Sequence, residues 1–166
     1  MYPDTDAAAY IDSHKDLFQY VSLTRVTYAT EAEATAALEA IATGTKTMEE
    51  AIAESIDSSK DSNGKIDKIY RFSLDGYLAN TSPDSALEIF MAEEGTSIGP
   101  VHTSEGYTLF FVDQAATDSD TTNASDLFAA KSYITQYDNE VMKAYLEGKA
   151  AEISAEAKAD FEGTAE

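Results

Sequence analysis

The sequence of 166 residues contains no cysteine and no tryptophan, and it has only three prolines and two histidines. Without cysteine the chain has no disulfide, thiol nucleophile or thiolate metal site. Two distant histidines leave too few ligands for a zinc site, so we expect no metal and no other cofactor. No apolar run approaches the roughly 18 residues of a membrane-spanning helix. The opening MYPDTDAAAY lacks the basic and apolar regions of a secretory signal, which predicts a mature or trimmed terminus.

Basic residues are also scarce, because 11 Lys and Arg stand against 31 Asp and Glu, a net charge of -20. Such a surface repels phosphate, which argues against nucleic acid and anionic membranes as partners. Hydrophobic residues nevertheless make up 43% of the chain, with ten Tyr and seven Phe, enough for a packed core. The length indicates one domain with an appended helical piece.

The first half of the chain predicts a strand followed by two helices. YVSLTRVTY (20–28) alternates between two faces and is rich in β-branched and aromatic residues, as strands are. Thr30 and Glu33 have the spacing of a capping box, and so do Thr47 and Glu50. We expect a helix to begin at each box, the second burying Met48, Ile52 and Ile56.

The middle of the chain predicts a second strand, a loop and a short helix. IDKIYRFSL (66–74) reads as a strand, and DGYLANTSPD (75–84) reads as a loop. Ser82 caps the next helix, with Pro83 at its first position. Four residues of this helix are expected to face the core: Ala86, Leu87, Phe90 and Met91.

The segment SIGPVHTSEGYTLFFV (97–112) predicts a hairpin. Gly99-Pro100 is expected to break the chain before one strand, and the apolar run Tyr107–Val112 is typical of a central strand. Apolar residues then recur every three or four positions over 123–162, which predicts a long amphipathic helix. This element order indicates the α+β class.

The hairpin also resembles the end block of the parvulin family of peptidyl-prolyl isomerases, which reads close to Gly-Pro-Val-X-Thr-X-X-Gly-Tyr-His. Here the block is GPVHTSEGYT, and RVTYATEAEATAAL stands where the family has its first strand and acidic helix. The resemblance runs from about Val21 to Gln114. It implies a small antiparallel or mixed four-stranded sheet covered by helices, with flanking N- and C-terminal helices. The implied division is a leading helical segment at 1–20, a parvulin-like domain at 21–115 and a helical flank at 123–162.

The resemblance also implies where the active-site residues should be. The family has two histidines on neighbouring central strands, with a Cys or Asp between them. The histidine positions fall on Arg25 and Thr108, and the Cys or Asp position falls near Lys65, so none of the three keeps the family's residue. An Arg–Thr pair could also be a satisfied polar pair between strands. His102 is a candidate replacement, but a solvent-facing histidine is the favoured interpretation of its position. The implied peptide-binding candidates are Tyr77, Leu78 and Phe90.

Three hypotheses follow for function. The first is a binding module with degenerate active-site positions that holds unfolded or proline-containing polypeptides as part of an extracytoplasmic, periplasmic-type foldase or chaperone. The second is an active isomerase with an altered polar floor, so the sequence leaves enzyme activity open. The third is a structural module whose flanking helices form a homodimer. The location rests on the resemblance of the outer helices to the flanks of extracytoplasmic parvulin-type foldases.

Overall fold

The computed structural model of the chain describes residues 3–57, 62–137, 139, 147–148 and 150–151. These residues fall into two compact units. We call the described residues of 13–120 the sheet unit, and the described residues of 1–12 and 121–166 the terminal unit.

The elements follow one another as two helices, a strand, two helices, a strand, two helices and a hairpin. Their bounds are α1 Asp4–Ser13, α2 Lys15–Phe18, β1 Tyr20–Tyr28, α3 Glu31–Ala42, α4 Met48–Glu54, β2 Lys65–Tyr70, α5 Arg71–Leu78, α6 Pro83–Met91, β3 Ser97–Thr103 and β4 Gly106–Thr117. Residues 124–137 form a further helix, α7.

The four strands form one sheet in the order β2-β1-β4-β3, and every neighbouring pair is antiparallel. The predicted α+β class with a four-stranded sheet is therefore confirmed, and the sheet is antiparallel rather than mixed. β1 and β4 are the two central strands, as predicted for Tyr107–Val112. Their register places Thr27 opposite Thr108 and Arg25 opposite Phe110.

The sheet buries both of its faces, because helices cover each side. One apolar cluster joins Val21 and Leu23 of β1 to buried residues of α5 and α6. The other joins Val26 and Tyr28 to buried alanines of α3 and α4. The alternation that the sequence shows over β1 thus separates two cores, one on each face.

Both predicted capping boxes are present. The Thr30 hydroxyl accepts from the Glu33 backbone N–H, and the Glu33 carboxylate accepts from the Thr30 N–H. Thr47 and Glu50 make the same pair of bonds at the start of α4. Each box satisfies backbone donors that a helix start leaves without partners, so these two helix starts are encoded locally.

The prediction for residues 71–78 was wrong, because they form helix α5 rather than the end of a strand and a loop. Leu74 and Leu78 lie four residues apart and are both fully buried, which is helical spacing. Arg71 and Asp75 form an ion pair across the same turn, with Nε and Oδ1 2.7 Å apart. The apolar residues Ile69 and Tyr70 of β2 are followed closely by Phe72 of α5, so the strand-like pattern continues past the end of β2.

Two predicted buried faces also need correction. On α6, Ile89 is buried with Ala86 and Phe90, whereas Leu87 and Met91 are 49% and 76% exposed. The i, i+3, i+4 set that packs is therefore rotated by one residue from the expected one. After α4, Ile56 is half exposed because the helix ends at Glu54, and Ala51 is the fully buried residue of α4.

The Gly99-Pro100 pair lies inside β3 rather than before it. The β3–β4 register shifts between Ile98 and Val101, so the strand accommodates the pair as an irregularity. Gly99 has a φ of 128°, and a Cβ there would lie 2.7 Å from the Thr108 carbonyl oxygen. The close approach of the β4 backbone accounts for a glycine at this position.

The terminal unit contains α1 up to Asp12 and α7. The Tyr10 and Tyr133 ring centroids are 6.3 Å apart, and Tyr133 stacks on Tyr137. Lys131 forms an ion pair with Asp4. The long helix predicted for 123–162 is confirmed over 124–137, and the rest of that prediction lies largely outside the described residues. In the part of the chain that the structure describes, no helix is long and apolar enough to cross a membrane.

Candidate functional site

The two positions that the resemblance assigns to histidines lie on the central strands, as expected. Arg25 is on β1 and Thr108 is on β4, directly opposite Thr27. Because side chains alternate along a strand, Arg25 and Thr27 point to the same face of the sheet. The candidate site therefore lies on the face of the sheet that carries Arg25 and Thr108.

Three buried threonines connect three neighbouring strands there, and we call them the threonine row. Thr27 Oγ1 lies 2.9 Å from Thr108 Oγ1, which lies 3.2 Å from Thr103 Oγ1. All three residues are almost completely buried. Each hydroxyl has a single proton to donate, so the acceptors around the row determine which threonine donates to which.

Asp57 terminates the row. Its Oδ2 accepts from the Thr27 hydroxyl at 2.7 Å. Thr27 has then used its proton, so Thr108 must donate to Thr27, and Thr103 can only donate to Thr108. The Thr103 proton is shared with the Gly106 carbonyl oxygen, which is also 3.2 Å away. The Thr27 and Thr108 hydroxyls therefore both point towards the carboxylate, and the Thr103 proton is divided between two acceptors.

The backbone of β1 holds Asp57 in place. Ser55 and Ile56 follow α4 along the edge of β1, where the Ile56 N–H donates to the Thr27 carbonyl oxygen. The Ser55 hydroxyl accepts from the Thr27 N–H at 2.9 Å and donates to Asp57 Oδ1 at 3.0 Å. Both carboxylate oxygens thus accept hydrogen bonds, as a buried ionised carboxylate requires.

Arg25 closes the arrangement on its surface side. Its Nε lies 3.5 Å from Asp57 Oδ2, and its Nη1 lies 3.4 Å from Glu105 Oε2. Glu105 belongs to the β3–β4 turn, where its backbone N–H donates to Thr103 Oγ1 at 3.3 Å. The Tyr77 hydroxyl donates to the same Glu105 oxygen at 2.8 Å. One guanidinium therefore bridges a buried and an exposed carboxylate.

The pKa of Tyr77 is raised above its ordinary value, chiefly by burial and also by the neighbouring Glu105 carboxylate. Its hydroxyl therefore keeps its proton and remains a donor to Glu105. On the other face of the sheet, burial and the Glu54 carboxylate raise the pKa of Tyr28 to about 12.

Lys65 does not join this cluster. It is exposed at the start of β2, and its Nζ lies 3.8 Å from Asp113 Oδ2. The acidic residue beside Arg25 is Asp57, which no motif in the sequence singled out. The signal that the sequence offers is the short run ESIDSS (54–59), where a serine and an aspartate directly follow the second capped helix.

The three candidate peptide-binding residues differ in accessibility. Tyr77 is partly exposed and reaches Glu105. Leu78 is completely buried, and Phe90 is nearly so, with the Arg71 guanidinium 5.5 Å from its ring centroid. Only Tyr77 of the three presents substantial surface at the cluster.

The two histidines lie apart from the cluster. His102 is exposed, as the solvent-facing alternative predicted, and its ring lies 5.2 Å from that of Tyr107. His14 precedes α2, and its Nδ1 lies 2.9 Å from the Ser13 hydroxyl. Within the described ranges, no group of three or more His, Asp or Glu residues could hold a metal ion.

Two cavities flank α4. One of about 430 Å³ is lined by residues of β1, α3 and α4, including Tyr28 and Glu54. The other, of about 590 Å³, is lined by Met48, Ile52 and Phe111 together with polar residues. Neither is lined by Arg25 or Thr108, so the polar cluster and these cavities are separate features.

The fold and the cluster define a class: an α+β domain with an antiparallel β2-β1-β4-β3 sheet and a polar floor on its central strands. The sequence profile described as the PPIC-type PPIASE domain matches residues 2–126. The chain therefore belongs to the PpiC-type family of peptidyl-prolyl isomerase domains, the parvulin type that the end block predicted. A search of curated protein sequences finds no significant match.

A PpiC-type domain and a PrsA structure share the fold at low sequence identity. A PpiC-type peptidyl-prolyl cis-trans isomerase domain is 17% identical with a TM-score of 0.50, over 63% of this chain and 97% of the other. The peptidylprolyl isomerase PrsA from Bacillus cereus is 17% identical with a TM-score of 0.53, over 81% of this chain and 50% of the other. A SurA-like chaperone from Campylobacter jejuni is 20% identical with a TM-score of 0.46, over 87% of this chain and 62% of the other.

Proposed function

We propose that this chain is a parvulin-like binding domain with degenerate active-site positions, which holds unfolded or proline-containing polypeptides as part of an extracytoplasmic foldase or chaperone. The observation that carries the proposal is the closed hydrogen-bond cluster of Asp57, Arg25 and the threonine row. The domain boundaries at 21 and 115, and the helical flanks around them, belong to the same proposal.

The cluster argues against ordinary family chemistry because its hydroxyl protons are already used. Rotation about an X-Pro bond crosses a barrier of about 18–20 kcal/mol. A catalyst lowers that barrier only through contacts that are stronger in the twisted state than in the planar ones. Thr108, at one histidine position, donates its single proton to Thr27 and so has none for a substrate carbonyl.

Client contact is proposed at Tyr77. Its ring covers the buried cluster of α5 and α6, and its hydroxyl lies at the Arg25–Glu105 pair. Leu78 and Phe90 are proposed to support this surface from below, because both are buried. Aromatic side chains with one apolar and one polar end are well suited to holding varied peptides.

An active isomerase is the second candidate, and Arg25 is the observation that favours it. The guanidinium stands at the other histidine position, on the surface side of the cluster, and it is always charged. It could donate to a peptide carbonyl and stabilise the twisted amide. Lys65 and Thr108 contribute nothing comparable, because Lys65 lies elsewhere and the Thr108 proton is taken.

The test is the binding of dye-labelled peptides, with and without proline, followed by fluorescence anisotropy. We expect saturable binding that falls about fivefold or more in Tyr77→Ala, as for an aromatic anchor. Tyr77→Phe is the matched control, since it keeps the ring and removes only the hydroxyl. No saturable binding of any unfolded client or proline peptide would overturn the proposal.

A further inference from the structure

Arg25 lies between two carboxylates, those of Asp57 and Glu105, and is the cation that the described residues place in this cluster. Asp57 is completely buried and has acquired donors for both oxygens. Glu105 is the carboxylate of the pair that lies at the surface.

Glu105 is also able to accept a further donor. Its side chain is 36% exposed, against 17% for Arg25. Arg25 and Tyr77 both contact one carboxylate oxygen, Oε2. Among the residues that the structure describes, Oε1 has no recorded partner. A carboxylate oxygen has two lone-pair sites, so Glu105 retains accepting capacity on its exposed side.

The position of Glu105 brings this capacity to the proposed peptide site. The residue lies in the β3–β4 turn, and its backbone N–H bonds to Thr103 of the threonine row. Its side chain contacts both Arg25, at a family active-site position, and Tyr77, the proposed client contact. A peptide lying on Tyr77 would pass within reach of Glu105.

We infer that the site prefers polypeptide segments with a lysine or arginine next to the proline-containing dipeptide, and that Glu105 is the residue that selects them. This inference rests on the proposed peptide-binding function. The chain's net charge of -20 attracts cationic clients at long range, but that field is shared by the whole surface. Glu105 adds a local contact that the overall charge cannot supply.

The test compares three labelled peptides that differ only in the residues flanking one Ala-Pro dipeptide, which are Lys, Ala or Glu. The proteins are the wild type, Glu105→Gln and Glu39→Gln. Glu39 is an exposed carboxylate on α3, so its replacement changes the net charge equally but away from the cluster. Affinities are measured at low salt and again at about 0.5 M salt, where exposed charge pairs are screened.

We expect the wild type to bind the Lys peptide about threefold tighter than the Ala peptide at low salt, as for one exposed ion pair. Glu105→Gln should remove this preference while still binding the Ala peptide, and Glu39→Gln should retain it. Equal affinities for the Lys and Glu peptides, with the Ala peptide still bound, would overturn the inference and leave the proposed function standing. An equal loss of preference in both variants would overturn it by assigning the effect to overall charge. Failure to bind all three peptides would overturn the proposed function and this inference together.

Discussion

The buried carboxylate of Asp57 should dominate the stability of the polar cluster. Among the described residues, the hydroxyls of Thr27 and Ser55 donate to it, and Arg25 is paired with it. In Asp57→Ala these donors remain in place without their acceptor. Because a buried donor without a partner keeps its full desolvation cost, the loss exceeds the net worth of the bonds themselves.

The magnitude follows from the burial of the pair. Breaking a buried ion pair by removing one partner costs about 3–5 kcal/mol. The control is Asp113→Ala, which removes a carboxylate on the surface whose Lys65 partner is 3.8 Å away and which accepts one hydrogen bond, from the Thr24 hydroxyl at 2.7 Å. An exposed pair of this kind is worth about 0–1 kcal/mol. The two substitutions remove the same chemical group, so the difference between their losses reports the burial of Asp57 and its additional donor.

The assay is equilibrium unfolding in urea followed by far-UV circular dichroism, since the chain has no tryptophan to report fluorescence. The free energy of unfolding and the slope with urea are compared for the wild type and both variants. A native domain has about 5–15 kcal/mol to lose, so Asp57→Ala should be measurably weakened or unfolded. A loss within about 1 kcal/mol of that in Asp113→Ala would refute the reasoning.

Three further predictions concern the sheet and its polar row. Gly106→Ala should lower the free energy of unfolding in urea by about 2 kcal/mol or more, because Gly106 has a φ of 142° and a Cβ there would lie 2.4 Å from the Tyr28 carbonyl oxygen. Gly76→Ala is the control: it lies in open space on α5 and should raise the free energy of unfolding by about 0.5–1 kcal/mol. The losses of unfolding free energy in Thr27→Val and Thr108→Val should be non-additive, so that the double variant loses less than the sum of the two single losses by about 0.5 kcal/mol or more. Additive losses would contradict a shared hydrogen-bonded row. Folding raises the pKa of Tyr28 from 10.0 to about 12. Its contribution to the free energy of unfolding is therefore fully present below about pH 10 and is lost as the pH rises towards 12. Tyr28→Phe should flatten that part of the stability–pH curve, and an unchanged curve would contradict the assigned shift.

Local signals in the sequence were sufficient for much of the fold. The capping boxes at Thr30 and Thr47 mark helix starts by bonds within four residues, so they need no knowledge of tertiary packing. The alternation over β1 and the apolar run of β4 can likewise be recognised within each strand's own sequence. The order of elements then limited the fold to a small α+β sheet.

Other features depended on packing that no local pattern contains. Residues 71–78 form a helix because Leu74 and Leu78 are buried together against the sheet, and the preceding apolar residues concealed that spacing. Asp57 looked like any acidic residue in a polar loop, and its burial arises from the edge of β1, where Ser55 and Ile56 bond to Thr27. A side chain's role in such a cluster is set by partners about 30 to 80 residues away, as the contacts of Thr27 show.

The most direct test of the account is the cis–trans exchange rate of a panel of X-Pro peptides, measured by magnetisation-exchange NMR with the wild type and with Arg25→His/Thr108→His. We expect the wild type to bind the peptides without accelerating exchange, because the Thr108 proton is donated to Thr27. Acceleration only in the double variant would indicate that the pocket survives while the family's chemistry has been lost. Acceleration by the wild type would contradict the account and establish an isomerase with a rebuilt polar floor centred on Arg25.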